Sequence, residues 1–188
     1  MLVRPLAEKA FEKAEKSTGG RITSILQGLF CTVLICGGQW KEAVATTLGF
    51  FCVDLFYEEF YGRPRLFEMK LHHTIGIALC AYSLYKQSYV GHTAYPTKAL
   101  VALEICNPLL HFLVILKNED QLYRFPSYCK TFMKGALIAQ FFIIRVLILG
   151  AAIAHCIFFY KPAYYLIAMG VSMWAMQVFW FIKLMIKS

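Results

Sequence analysis

Charge is scarce in this chain. Charged side chains make up 16% of its 188 residues, where a soluble domain carries about 25%. Hydrophobic residues reach 59%, aromatic ones 16%, and the mean hydropathy is +0.56. This balance argues against an ordinary soluble globule and for a polytopic membrane protein. No secretory signal is expected either, because Glu8 and Lys9 follow Met1-Leu2-Val3-Arg4-Pro5 before any apolar stretch can form. No Asn-x-Ser/Thr acceptor is present: Asn107 precedes Pro108, and Asn118 precedes Glu119-Asp120. The seven cysteines show no Cys-x2-Cys spacing, so no metal site is expected from them. Cys31, Cys36, Cys52, Cys80, Cys106 and Cys156 lie in apolar runs and read as small core residues. The net charge of +8 is spread over short loops with no stripe to follow a phosphate backbone, which argues against a nucleic-acid partner.

What is there is a series of apolar runs. Residues 2–16 come first and differ from the rest. Leu2, Val3, Leu6, Ala7, Ala10, Phe11 and Ala14 recur at helical spacing, with Glu8, Lys9, Glu12, Lys13, Glu15 and Lys16 between them. The pattern predicts a cytoplasmic amphipathic helix ended by Ser17-Thr18-Gly19-Gly20, suited to the headgroup layer or to a protein partner. Residues 1–21 are thus set apart from a membrane domain over 22–188. Six spans are expected there, at 22–40, 43–61, 71–85 (or to 90), 99–116, 135–160 and 163–182, each near the roughly 20 residues that cross a bilayer. Of the 19 lysines and arginines, Lys41, Lys86, Lys98 and Lys161 fall on one side and Arg145 inside the fifth span. The others fall on the opposite side, which puts both termini in the cytoplasm. The fold class expected is all-α: a six-helix transmembrane bundle with an N-terminal amphipathic helix.

Ionisable groups inside these spans are costly and mark a candidate site. His72 and His73 open the third span. Asp54 lies roughly 9 Å, and His111 about 8 Å, from the same surface at 1.5 Å per residue. These four are expected in one layer. Glu104 and Arg145 come out about 18 and 15 Å deep and are expected to pair, with Asp54 as the competing partner for the arginine. Each also has a structural reading. Glu104–Arg145 would serve as a clamp, Asp54 would cap backbone or hold a histidine, and His111 would serve a carbonyl freed by Pro108.

In order along the chain, Asp54-Leu55 with Tyr57, Met69-Lys70-Leu71-His72-His73, Glu104-Ile105-Cys106-Asn107-Pro108-Leu109-Leu110-His111 and Phe141-Phe142-Ile143-Ile144-Arg145 resemble the TLC-domain family. That family includes ceramide synthases, translocon-associated membrane proteins and lipid-regulatory membrane proteins. The resemblance implies a barrel-like bundle of six helices around a cavity open to lipid, and a place in the endoplasmic reticulum, with the plasma membrane as alternative. In the synthases the paired histidines belong to the catalytic motif, which implies His72 and His73 as catalytic, with Asp54 orienting them and acyl-CoA as co-substrate. A lipid substrate would then meet His111, Glu104, Asn107 and Arg145. Where synthases carry a second His-Asp, this chain has Leu103-Glu104, followed by Asn107-Pro108, a pattern closer to the non-synthase members. The expectation is a protein that binds membrane lipid and affects lipid composition, with acyl transfer as the alternative. A solute carrier using Glu104 and Arg145, and a cargo receptor using the N-terminal helix and the loop from Lys117 to Lys134, are weaker readings. None of these features sets an oligomeric state.

Overall fold

The computed structural model describes residues 18–60, 67–87, 95–118, 124–160 and 162–187. The amphipathic helix expected over residues 2–16 and the basic loop with Arg63 and Arg65 lie outside the described residues. Six helices follow one another: α1 (Thr18–Cys36), α2 (Trp40–Phe60), α3 (Phe67–Tyr85), α4 (95–118), α5 (127–160) and α6 (Tyr164–Lys187). No strand occurs among the described residues. The molecule is an all-α membrane bundle. Stretches of α4, α5 and α6 (Tyr95–Lys117, Ser127–Tyr160 and Tyr164–Ile186) are each long and apolar enough to cross a bilayer.

Local chemistry sets the ends. α1 closes on Gly38, whose φ of +71° suits a residue without Cβ. Gly38 N–H donates to Ile35 O and Gln39 N–H to Leu34 O, the double bond that ends a helix and starts the next within a few residues. α1 begins earlier than expected. Thr18, Gly19 and Gly20 are already helical, because glycine is tolerated in a first turn, where backbone N–H groups lack intrahelical partners in any case. α5 also starts before its expected span, at Ser127, behind Pro126, whose φ of −55° and missing N–H suit a helix entrance. The lysines of 127–134 make that segment too polar to read as membrane, yet the helix runs through it. Its 34 residues reach about 50 Å at 1.5 Å per residue, well beyond the roughly 30 Å hydrocarbon core.

Around the bundle the packing order is α1–α2–α3–α6–α5–α4 and back to α1. The first half of α4 leans inward, with Thr97, Ala99, Leu100 and Val101 buried against α2 and α3. Short connections make neighbours antiparallel. Lys183 of α6 meets Glu68 of α3 at one end (3.2 Å). At the other, Ser83 of α3 bonds Thr97 of α4 (2.8 Å) and Tyr95 packs on His155 of α5. The first, which also carries Arg21, Lys70 and Lys134, is the basic end.

The burial pattern is inverted relative to a soluble protein. Leu26, Phe30, Val33, Phe158 and Ile186 point outward, while Gln27, Thr47, His72, His73, Glu104, Arg145 and Gln177 are buried. A lipid-facing surface gives this pattern, since apolar side chains need no shelter from hydrocarbon and polar ones do.

Candidate functional site

The site begins with the two histidines on the first turns of α3. Consecutive positions on a helix point about 100° apart, and the two rings accordingly face different neighbours. His73 turns to α2, where its Nδ1 lies 3.4 Å from Asp54 Oδ2. His72 turns to α6, where its Nδ1 lies 2.9 Å from Met173 Sδ and its ring meets Trp180 edge-on. Phe51 of α2 stacks on His73 and sets its edge against His72. That ring fits because position 76 is glycine: a Cβ there would overlap the Phe51 ring edge. Both histidines are buried, at 7% and 3% exposed.

A second set lies deeper, and the sequence explains its geometry. Pro108 has no N–H to give to Glu104 O four residues back. The chain tightens into a 3-10 turn over Leu103–Cys106, and Asn107 N–H takes Glu104 O instead. That leaves Leu103 O open, and Arg145 Nη2 donates to it at 3.0 Å. The same nitrogen donates to Asn107 Oδ1 at 2.6 Å, while Asn107 Nδ2 donates to Glu104 Oε2 at 2.6 Å. Arg145 Nη1 donates to Gln177 Oε1 of α6 at 3.0 Å, and the guanidinium lies over the Phe141 ring. Gln27 of α1 neighbours the Glu104 carboxylate. α1 comes this close because residue 28 is glycine. A Cβ there would sit 2.7 Å from Pro108 Cδ and 2.8 Å from Glu104 O.

Arg145 itself stands on a π-helical stretch, Phe141–Ile148, a form that recurs at functional sites. Trp174 Nε1 donates to Val146 O at 2.9 Å across from α6, meeting a carbonyl within that irregular stretch.

Four expectations change here. Glu104 and Arg145 do not meet directly: the Asn107 amide stands between them, donating to the acid and accepting from the base. Asp54 is beside His73, so it does not compete for Arg145. His111 sits on the Asn107–Asn118 segment, which packs on α1 across the ring from α3 and not beside the paired histidines. The carbonyl that Pro108 frees is taken within the turn by Asn107 N–H.

Two residues outside the expected set, Met173 and Gln177, join the two groups. Met173 touches His72, and Gln177 Nε2 reaches Met173 Sδ at 3.8 Å while its Oε1 takes Arg145. Cys31 links Gln27 (3.3 Å) to Thr47 (3.6 Å). A glutamine inside an apolar span was the available signal for Gln177 and Gln27. Nothing in the sequence marks Met173.

Toward the other end, α3, α4, α5 and α6 enclose a cavity of about 300 Å³. Its walls are largely aliphatic and aromatic, among them Leu79, Leu100, Ile153, Leu166 and Tyr160. Its lining runs from Tyr160, Pro162 and the exposed Ala163 to the fully buried Met173. Among the described residues no three metal-binding side chains come together.

A family model for the TLC domain matches residues 23–186, all but the ends of the chain. The chain belongs to the TLC-domain family. It is therefore a membrane protein of a family with lipid-related roles. Among curated proteins and among solved structures nothing matches. The motifs that resemble the family sit at the inner face of this TLC domain: Asp54 against His73, and Asn107 between Glu104 and Arg145.

Proposed function

We propose that this TLC-domain protein binds a membrane lipid inside its bundle, with an acyl chain in the cavity at the end opposite the basic one, and that it thereby affects membrane lipid composition. The observation that carries this reading is the cavity itself: about 300 Å³, partly open and walled mainly by apolar side chains. An apolar pocket within a bilayer protein suits a hydrocarbon chain, and a few polar groups suffice to fix its orientation. We place the protein in the endoplasmic reticulum, among the non-synthase members of the family, with both termini cytoplasmic. The basic end, with Arg21, Lys70, Arg124, Lys130 and Lys134, then faces the cytoplasm. A protein partner on the N-terminal segment, residues 2–16, is part of the same proposal. Gly170 lines the cavity and a Cβ on it meets Ile153 at ordinary contact distance. Gly170→Phe therefore plugs the space. Mass spectrometry of the purified protein should show bound lipid in the wild type and its loss in this variant; equal lipid in both would overturn the reading.

A second reading, acyl transfer from acyl-CoA, is favoured by the placement of His73 Nδ1 3.4 Å from Asp54. In it the carboxylate holds the Nδ1 proton, and Nε2 of the neutral ring accepts the proton of an attacking amine. The amine nitrogen bonds to the acyl carbon, the thioester C–S bond breaks, and CoA leaves as the thiol. His73→Ala should then abolish turnover while the bundle stays folded. Unchanged turnover would end that reading.

A further inference from the structure

The cavity and the histidines share one residue. Met173 lines the cavity at the last position that α6 contributes to its walls, is fully buried, and holds its sulfur 2.9 Å from His72 Nδ1. On its helix the cavity walls run from Ala163 to Met173, about 15 Å at 1.5 Å per residue. Leu79, Leu100 and Leu149 complete that end from α3, α4 and α5. Beyond the sulfur lie His72, then Phe51 and Trp180. Gln177 Nε2, one turn along α6, lies 3.8 Å from the same sulfur, so the thioether has two polar partners. Methionine is unbranched and soft, and it fills irregular gaps without fixing them rigidly.

We propose that Met173 is the floor of the lipid cavity and sets the length of acyl chain the protein accepts, while keeping that chain off His72. This rests on the reading that the cavity holds an acyl chain. A chain long enough to reach the floor meets the thioether, and a longer one has to displace it from both His72 and Gln177. Met173→Ala removes Cγ, Sδ and Cε, which lowers the floor by about three chain atoms and opens the cavity toward His72. Met173→Leu keeps most of the volume and tests whether the sulfur contact matters apart from the space.

The experiment is purification of the full chain in mild detergent from cells with mixed-length lipids, then mass spectrometry of what co-purifies. Gly170→Phe, Met173→Ala, Met173→Val and Met173→Leu are run beside the wild type. The proposal expects bound chains to lengthen by about two to four carbons in Met173→Ala, by less in Met173→Val, and to stay within two carbons of the wild type in Met173→Leu. If the alanine variant does not fold, the valine variant carries the same test at smaller amplitude. Loss of lipid in Gly170→Phe with an unshifted chain-length profile in the alanine or valine variant would overturn the floor and leave the cavity reading standing. Lipid retained in Gly170→Phe would overturn the cavity reading and the floor with it.

Discussion

Toward the basic end the interior of the bundle is crowded with polar side chains, and toward the other end it is nearly free of them. Asp54 and His73, then His72, Met173, Gln177, Arg145, Asn107 and Glu104, run through the first region in successive contact. In the second, Ser83 and Thr97 satisfy each other at 2.8 Å and aliphatic walls surround a cavity. One bundle builds both, with α3, α4, α5 and α6 running through each, so the difference comes from how each region meets the cost of a polar group in a membrane. The first meets much of it by hydrogen bonds among closely packed polar side chains. The second holds few polar groups, so its packing is free to leave a void, and an apolar void suits hydrocarbon. Rigid polar packing positions residues; loose apolar packing receives a chain.

The sharpest way to break this contrast is to remove the cation on which the polar region converges. Arg145 is buried and gives bonds to Gln177, Asn107 and Leu103 O. Arg145→Ala should cost about 3–5 kcal/mol, because Glu104 is left buried without the charge that offsets it. Detergent melting should show a large fall or no folded protein. Arg145→Lys should recover only part of the loss, since a point charge cannot serve three acceptors in a fork.

Gly76→Ala comes next. A Cβ at that position meets the Phe51 ring, and overpacking typically costs about 1–3 kcal/mol. Its melting temperature should fall, and Phe51→Leu in the same chain should restore part of it. On the apolar side, Ser83→Ala should cost about 1–3 kcal/mol in detergent melting, because it strands the buried Thr97 hydroxyl.

The smallest effect is expected at the basic end itself. Glu68 lies in the first turn of α3, outside the apolar run. Its own backbone N–H, and then Lys183, hold its carboxyl below the usual range. A carboxyl lowered in the folded state stabilises above its unfolded pKa and loses that contribution as pH falls through the folded value. Melting temperature should therefore dip slightly below pH about 4.5. Lys183→Ala should shrink the dip without abolishing it, because the backbone contact is the larger cause.

Much of the polar region could be read from the chain alone, because each charge in an apolar run is a local anomaly. Asp54, the two histidines, Glu104 and Arg145 stood out singly, and Pro108 announced an irregular turn. Their partners did not, since helix-to-helix register is a property of packing. Asn107 reads as the residue before a proline, and its amide becomes a bridge only once Arg145 arrives on the π-helical stretch of α5. Gln177 and Met173 depend in the same way on the rotation of α6. The family resemblance implies a cavity, but its position and walls cannot be read from hydropathy, for the opposite reason. Leu79, Ile153 and Leu166 are the residues that a lipid-facing surface would also use, so hydropathy cannot distinguish an inner wall from an outer one. α5 was read short because Lys130 and Lys134 interrupt the apolar pattern while leaving the helix intact.

The most direct test of the account is to ask where a lipid chain touches the protein. A phospholipid carrying a diazirine near the chain terminus, incorporated into membranes with the full protein and photolysed, labels the side chains it reaches. Peptide mapping should then place label on Leu79, Leu149, Ile153 or Met173, with Gly170→Phe losing it. Label confined to outward residues such as Leu26, Phe30 and Val33, and unaffected by Gly170→Phe, would contradict a chain inside the bundle.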